Sequence, residues 1–245
     1  MANEVKEWSV EEDVSSEYQE HNNKNTFIIN YVQPSLFREL GGLTGKNILD
    51  LACGSGHWTR ELKRRKANIV VGVDINEPMI IEAKKVDDMD GLGIQYFVGD
   101  VGSFTYKDNL QFDMVMSCWL LCFATSEQEL GKFCMTAFEH LKPGGRFVSV
   151  TPILDNDTIK KKGGYNPILL TSIQLDEEGD WRDGCRVKAT LFSDVDCPSV
   201  IFLNYYWKFE TMKKALIDIG FINVVKSLMH PSVENNIILS AQKPR

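Results

Sequence analysis

The sequence predicts an α/β protein in which a mostly parallel sheet carries helices on both faces. Three observations predict it. Short apolar runs alternate with helix-length stretches from about residue 46 onward; three successive runs end in an acid, Asp50, Asp74 and Asp100; and the first acid stands just before the glycine turn ACGSG. Such alternation makes each helix a crossover between neighbouring parallel strands.

The elements follow in order. NILDLAC (47–53) reads as a strand, HWTRELKRRK (57–66) as a helix, and the β-branched run NIVVGVDI (68–75) as the next strand. EPMIIEAKKVDDM (77–89) reads as a helix with Pro78 in its first turn, followed by strand-like IQYFVGD (94–100) and FDMVMSC (112–118). SEQELGKFCMTAFEHL (126–141) is an amphipathic helix opened by Ser126 with Glu129 at capping-box spacing, and RFVSVTP (146–152) is a strand. After Pro152 the rhythm changes: TSIQL (171–175), CRVKATLF (185–192) and VIFLNYYW (200–207) read as short antiparallel strands joined by polar turns. KFETMKKALIDIGF (208–221) restores a helix that stops at Gly220, and NVVKSL (223–228) and NNIILSAQK (235–243) close the sheet. Residues 1–40 have too little strand pattern to join that sheet and are expected to form a helical cap over its edge. The expectation is one domain over 1–245, with 153–207 inserted as a lid or substrate-binding segment.

Composition excludes several function classes. With 245 residues, 43% hydrophobic and 25% charged, the chain suits one large core. A net charge of −7 and a pI near 5.2 argue against a groove that neutralises many phosphates, so no nucleic-acid partner is expected. The basic runs KRRK (63–66) and KKK (160–162) read as solvated surface. The six cysteines form no CxxC pair, so they read as reduced thiols with no metal site. The acidic N-terminus lacks the pattern of a secretory signal, and no apolar run approaches the roughly 20 residues that span a bilayer. A cytoplasmic protein with no membrane partner is the expectation.

In an open α/β sheet, ligands bind beyond the carboxyl ends of the strands, where strand order reverses. Acids repeated at strand ends there suit hydrogen bonds to a polar ligand, since a buried carboxylate without a partner is costly. Gly54 and Gly56 permit a tight turn, and the helix after them offers unpaired N–H groups, so a polar, partly anionic cofactor fits. The dinucleotide pattern G-x-G-x-x-G is absent. Asp74 stands at a suitable distance downstream to accept from ribose hydroxyls, which by itself leaves a nicotinamide and other nucleoside ligands open.

Taken together and in order, LDLACGSG, VVGVDINEPMI, YFVGDV, FDMVMSCWLL and LKPGGRFVSV resemble the motifs of class I S-adenosylmethionine-dependent methyltransferases. The resemblance implies a Rossmann-like sheet of seven mostly parallel strands, the last inserted antiparallel. One departure is Ala52, where the family's loop commonly has a glycine; alanine is small enough for cofactor binding if its φ is negative. PSLFRELGGLTGKNILDLACGSGHWTREL, the insertion and VIFLNYYW look most like small-molecule enzymes of the toxoflavin-synthase type, whose acceptor is a flat nitrogen heterocycle. SCWLL stands where methyltransferases of adenine bases or glutamine amides have an Asn/Asp-Pro-Pro-Tyr/Phe segment, which disfavours those acceptors.

From the resemblance, the cofactor is S-adenosyl-L-methionine and the product S-adenosyl-L-homocysteine. Asp74 would take the ribose hydroxyls, Asp100 the adenine amino group and the Val101 N–H a ring nitrogen, with Ile75 and Met79 around the adenine. Ala52, Cys53 and Gly54 would face the methionyl part, Asp50 would order their loop or reach the cofactor's ammonium through water, Ser117 and Cys118 would meet the methionyl end, and Tyr18 would close over the cofactor. The acceptor, a small molecule methylated on nitrogen or oxygen, would meet Trp119, Phe123, Tyr205 and Tyr206, with Trp181, Phe192, Phe202 and Trp207 nearby. Methyl transfer asks mainly for orientation and exclusion of water, and orientation can supply roughly 7–11 kcal/mol. A base is optional; among the histidines His21 is the candidate, His57 after the glycine turn either touches the cofactor or is partly exposed, and His140 and His230 are placed elsewhere. Two alternatives stay open: a protein that binds the cofactor without turnover, and a nicotinamide-dependent oxidoreductase.

Overall fold

The computed structural model describes residues 6–9, 11–106, 110–153, 164–166, 171–176, 180–194, 197–229 and 236–245. The first half of the chain runs β1 (Lys6–Glu7), α1 (Ser15–Lys24), α2 (Gln33–Leu40), β2 (Ile48–Leu51), α3 (His57–Arg64), β3 (Val70–Asp74), α4 (Glu77–Asp90), β4 (Gln95–Val98) and β5 (Phe112–Cys118). The second half runs α5 (Glu127–His140), β6 (Leu141–Pro152), β7 (Gly164–Asn166), β8 (Thr171–Leu175), β9 (Cys185–Asp194), β10 (Cys197–Tyr206), α6 (Phe209–Ile219), β11 (Ile222–Leu228) and β12 (Asn236–Gln242).

Seven strands form the main sheet in the order β11-β12-β6-β5-β2-β3-β4, with β12 antiparallel to both neighbours and the pairs among β6, β5, β2, β3 and β4 parallel. Alternation along each strand divides the core between two faces. Leu49, Leu51, Val73, Val115 and Phe147 pack with Leu130 and Phe133 of α5 and Met212 and Leu216 of α6. Ile48, Val70, Met114, Met116 and Val148 pack on the opposite face with Leu36 of α2, Trp58 and Leu62 of α3 and Ile80 of α4. The fold is therefore the Rossmann-like α/β arrangement, with helices on both faces.

Local sequence explains the helix starts. Asn76 caps α4 by accepting from Met79 N at 2.8 Å, and Ser126 caps α5 by accepting from Glu129 N at 3.2 Å. Glu129 Oε2 accepts from the N–H and the hydroxyl of Thr125 rather than from the N–H of Ser126. Gly220 ends α6 at a φ of 114°, a conformation that suits glycine.

β7 to β10 form a second sheet, to which β1 adds a parallel strand beside β10. That strand departs from the purely helical expectation for residues 1–40: two residues carry no readable period, and only the edge of β10 selects their extended form. Ile28–Val32 forms a π-helical stretch leading into α2, and β6 starts at Leu141, with LKPGG drawn into the strand across a register shift opposite β5. His230 and the KKK run at 160–162 lie outside the described residues. No described helix is long and apolar enough to cross a membrane.

Candidate active site

Strand order reverses between β2 and β5, and the carboxyl ends of these strands open into a cavity of about 470 Å³, within the usual range for small-molecule sites. The turn after β2 is held from several sides. Cys53 N donates to Val73 O at 3.0 Å, Gly54 N donates to Asp74 Oδ2 at 2.8 Å, and Asn76 N donates to Asp74 Oδ1 at 2.9 Å. Gly56 has a φ of 79°, and a Cβ there would collide with the Tyr96 hydroxyl and the Arg60 guanidinium. Burial raises the Asp74 carboxyl above the usual carboxylate range, opposed by the N–H groups of Asn76, Gly54 and Ile75. Asp50 is 1% exposed and accepts from Thr59 Oγ1 at 2.7 Å; burial pushes it up to about 7 against that hydrogen bond.

Two residues without glycine's freedom adopt left-handed backbone on the rim. Ala52 has a φ of 59°, so the condition of a negative φ set from the sequence is not met: the turn takes the glycine conformation at this position even though the side chain is a methyl. Trp119 has a φ of 62° directly after β5, and its N–H donates to Val150 O at 2.8 Å. Such conformations in bulky residues persist only where the surroundings impose them. Here the neighbouring strand holds the Trp119 backbone while the indole lines the cavity near Trp58, ring centroids 6.4 Å apart.

The opposite wall is built by the N-terminal segment and the second sheet. A Tyr18 ring carbon lies 3.7 Å from where a Cβ on Gly54 would stand, and the Tyr18 and Phe202 rings are 6.1 Å apart. Trp8 packs on Phe123 at 5.0 Å and on Phe202 at 6.1 Å. Asn76 Nδ2 donates to Ser9 O and Glu12 O, both at 2.9 Å, so the cap of α4 also ties down the N-terminal segment. His21 is 3% exposed; its Nδ1 donates to Phe192 O at 2.9 Å and its Nε2 accepts from Asn25 Nδ2 at 3.1 Å, which sets the neutral tautomer. Burial lowers its pKa, against the effect of the Phe192 carbonyl.

Of the residues named from sequence, Tyr18, His21, Ala52, Gly54, Asp74, Ile75, Met79, Asp100, Val101, Cys118, Trp119, Phe123 and Tyr206 line this cavity. Asp50, Cys53, Ser117 and Tyr205 do not. Asp50 sits beneath the turn against α3, and Cys53 points into the core beside Trp58 and Tyr96. Ser117 Oγ pairs with Ser149 Oγ at 2.9 Å between β5 and β6. Tyr205 alternates with Tyr206 along β10 and packs against the main core instead. Phe202 lines the cavity, whereas Trp207 is buried in the main core with its Nε1 donating to Ala124 O at 3.1 Å. His140 is buried away from the cavity between Thr136 and Tyr106, and His57 does not line it. Sequence reasoning missed Trp8, Asn22 and Thr171, which line it, and the tether from Asn76. Asn76 was legible as a cap before Pro78, but the others carry no local signal.

Residues 48–145 match the family model described as a methyltransferase domain. The ubiquinone biosynthesis O-methyltransferase of Coxiella burnetii is 33% identical to this chain over 123 residues, covering 50% of each. The demethylmenaquinone methyltransferase of Lactococcus lactis is 31% identical over 145 residues, 56% of this chain and 54% of that one. The chain thus spans about half the length of the curated relatives it matches. A solved S-adenosylmethionine-dependent methyltransferase of Clostridium acetobutylicum superposes with a TM-score of 0.67 at 16% identity, over 94% of this chain and 98% of that one. The matched segment contains β2 to β5, the glycine turn and the three acids at strand ends, and the likeness of fold extends to the second sheet.

Proposed function

We propose that this protein is a class I S-adenosylmethionine-dependent methyltransferase acting on a small molecule. The observation that carries the reading is the placement of Asp74 and Asp100 on one rim of a cavity that adjoins the glycine turn, inside the segment that matches the methyltransferase family model. The donor set suits the cofactor. Asp74 fixes the turn and faces the cavity, Asp100 sits one strand further along, and among the described lining residues there is no Lys or Arg to repel a sulfonium. Bound there, S-adenosylmethionine supplies an activated methyl group for in-line displacement by the acceptor.

The chain's own residues then orient and exclude water. Asp74 holds the ribose, Asp100 and the Val101 N–H the adenine, and Ile75 and Met79 its faces. Ala52 and Gly54 form the wall of the methionyl end, with Cys118 opposite and Tyr18 over the turn. Trp119, Phe123, Phe202 and Tyr206 make an aromatic wall for a flat acceptor, and the second sheet acts as the lid that dries the site. Asp50 supports the loop from below. His21 keeps both ring nitrogens engaged, so it serves as a neutral part of the wall in this arrangement rather than a free base. The flat ring expected of a toxoflavin-synthase-type acceptor and the quinone rings named for the curated relatives share this requirement for aromatic surfaces. Incubation with methyl-labelled S-adenosylmethionine and a fractionated metabolite extract tests the proposal: label in a small molecule supports it, and cofactor binding without transfer to any fraction contradicts it.

A further inference from the structure

Two polar groups in the cavity lack a hydrogen bond of good geometry within the protein. Asn22 is 1% exposed, and neither its amide oxygen nor its nitrogen makes a hydrogen bond of good geometry; the Tyr18 hydroxyl, one turn earlier on α1, is its polar neighbour. Thr171 Oγ1, at the start of β8, is buried and also unpaired. Both residues line the cavity. An unsatisfied buried group costs roughly 1–3 kcal/mol, and native proteins keep few of them, so an orphan in a binding cavity points to a ligand.

The two groups come from elements that meet. His21, next to Asn22, donates to the Phe192 carbonyl, and Thr171 lies opposite Leu191 in the β8–β9 pairing. α1 packs against β9 and β10, so Asn22 on α1 and Thr171 on β8 line the cavity where the N-terminal helix meets the second sheet. The described lining offers that part neutral groups, including Asn25, Asn204 and Tyr206, and no Lys or Arg to hold a carboxylate or phosphate. An asparagine amide presents a carbonyl beside an N–H, and its complement is a ring edge with an N–H beside a carbonyl.

We propose that Asn22, assisted by Thr171, selects the acceptor, and that the acceptor is an uncharged planar ring with a lactam-type edge. The assignment rests on the methyltransferase reading and goes beyond it by naming the polar edge that the site recognises.

Calorimetry on the full chain saturated with S-adenosylhomocysteine tests this with three flat probes of similar size: 2-quinolone, which has the lactam edge; quinoline, which lacks the N–H; and 2-naphthoate, which is charged. The wild type is expected to bind 2-quinolone most tightly. Asn22→Leu is expected to weaken 2-quinolone about tenfold or more, the loss of roughly one buried hydrogen-bond pair. It should leave S-adenosylhomocysteine within about threefold and keep Tm at or above the wild-type value, because an unpaired amide has gone. Thr171→Val, measured in parallel in case Asn22→Leu fails to fold, should weaken 2-quinolone with the same selectivity. Unchanged 2-quinolone binding in the folded variants, preference of the wild type for 2-naphthoate or quinoline, or no 2-quinolone binding overturns the assignment while the methyltransferase reading stands. Parallel loss of S-adenosylhomocysteine in Asn22→Leu also overturns it, since the amide then serves the cofactor. Failure of the wild type to bind S-adenosylhomocysteine at all removes the methyltransferase reading and this assignment with it.

Discussion

The backbone N–H of Gly54 donates to Asp74 Oδ2 at 2.8 Å, so the acid that ends β3 secures the turn that follows β2. One carboxylate thereby couples two neighbouring strand ends and faces the cavity between them. On the proposed function, cofactor affinity and local order of the turn are linked through this residue.

Asp74→Ala is expected to weaken S-adenosylhomocysteine tenfold or more, because charge-assisted hydrogen bonds contribute about 1.5–3 kcal/mol each and about 1.4 kcal/mol is a factor of ten. The same variant should melt earlier than the wild type, since the Gly54 and Asn76 N–H groups lose their acceptor. Asp100→Asn should cost less affinity, as its amide oxygen still accepts. Calorimetry with a folded Asp74→Ala chain of unchanged affinity, or a larger loss in Asp100→Asn, would contradict the assignment.

Asp50 makes a pH prediction. Its folded carboxyl titrates at about 7 through burial, whereas in the unfolded chain it titrates at roughly 3.9. Between these values the folded state holds the extra proton, so stability from this group is full below the unfolded pKa and is lost as pH rises through the folded one. Asp50→Asn should remove that decline, gaining on the wild type as unfolding is followed from pH 4 to pH 8. Parallel stability curves for the two proteins would rule out the buried, protonated carboxyl.

Ala52→Gly tests the left-handed turn. An L-residue at a φ of 59° gives up roughly 1–2 kcal/mol, and glycine returns about 0.4–1 kcal/mol through its freer unfolded chain. The variant should therefore be as stable as the wild type or more so, by up to about 1.6 kcal/mol, a Tm rise of up to about 3–6 °C at this chain length. A clear fall in Tm would mean that the alanine methyl packs more favourably than its backbone is strained.

The aromatic wall predicts a separation of subsites. Trp119→Ala and Tyr206→Ala should each slow methyl transfer by about tenfold or more, given that a buried aromatic anchor contributes about 2 kcal/mol, while S-adenosylhomocysteine affinity stays within a few-fold. Wild-type rate and concentration dependence in both folded variants would move acceptor recognition to the N-terminal segment alone.

Much of this site was legible because its chemistry is local to strand ends. Asp50, Asp74 and Asp100 each close a short apolar run, and the glycines after Asp50 announce the turn; the main sheet follows from alternating period. Side-chain direction was less legible. Tyr205 and Tyr206 are adjacent in one aromatic run, and only the pairing of β10 with β9 and its packing decide which one meets the cavity. Ser117 is directed to Ser149 by the parallel register of β5 and β6, a contact separated by 32 residues. Trp8 and Asn22 lie in an acidic, polar segment whose pattern gives no sign that β10 and Asn76 draw it over the site. Ala52 shows the converse: its identity suggested ordinary backbone, and the turn overrode it.

The central claim is transfer of a methyl group from S-adenosylmethionine to a small molecule. The direct measurement incubates the purified chain with S-adenosylmethionine carrying a labelled methyl and with separate small-molecule, protein and nucleic-acid fractions, then follows the label by mass spectrometry. The account predicts S-adenosylhomocysteine formation matched by the label on one or more small molecules, and loss of both products in Asp74→Ala at limiting cofactor. Label confined to protein or nucleic acid, or cofactor binding with no label transferred to any fraction, would contradict it.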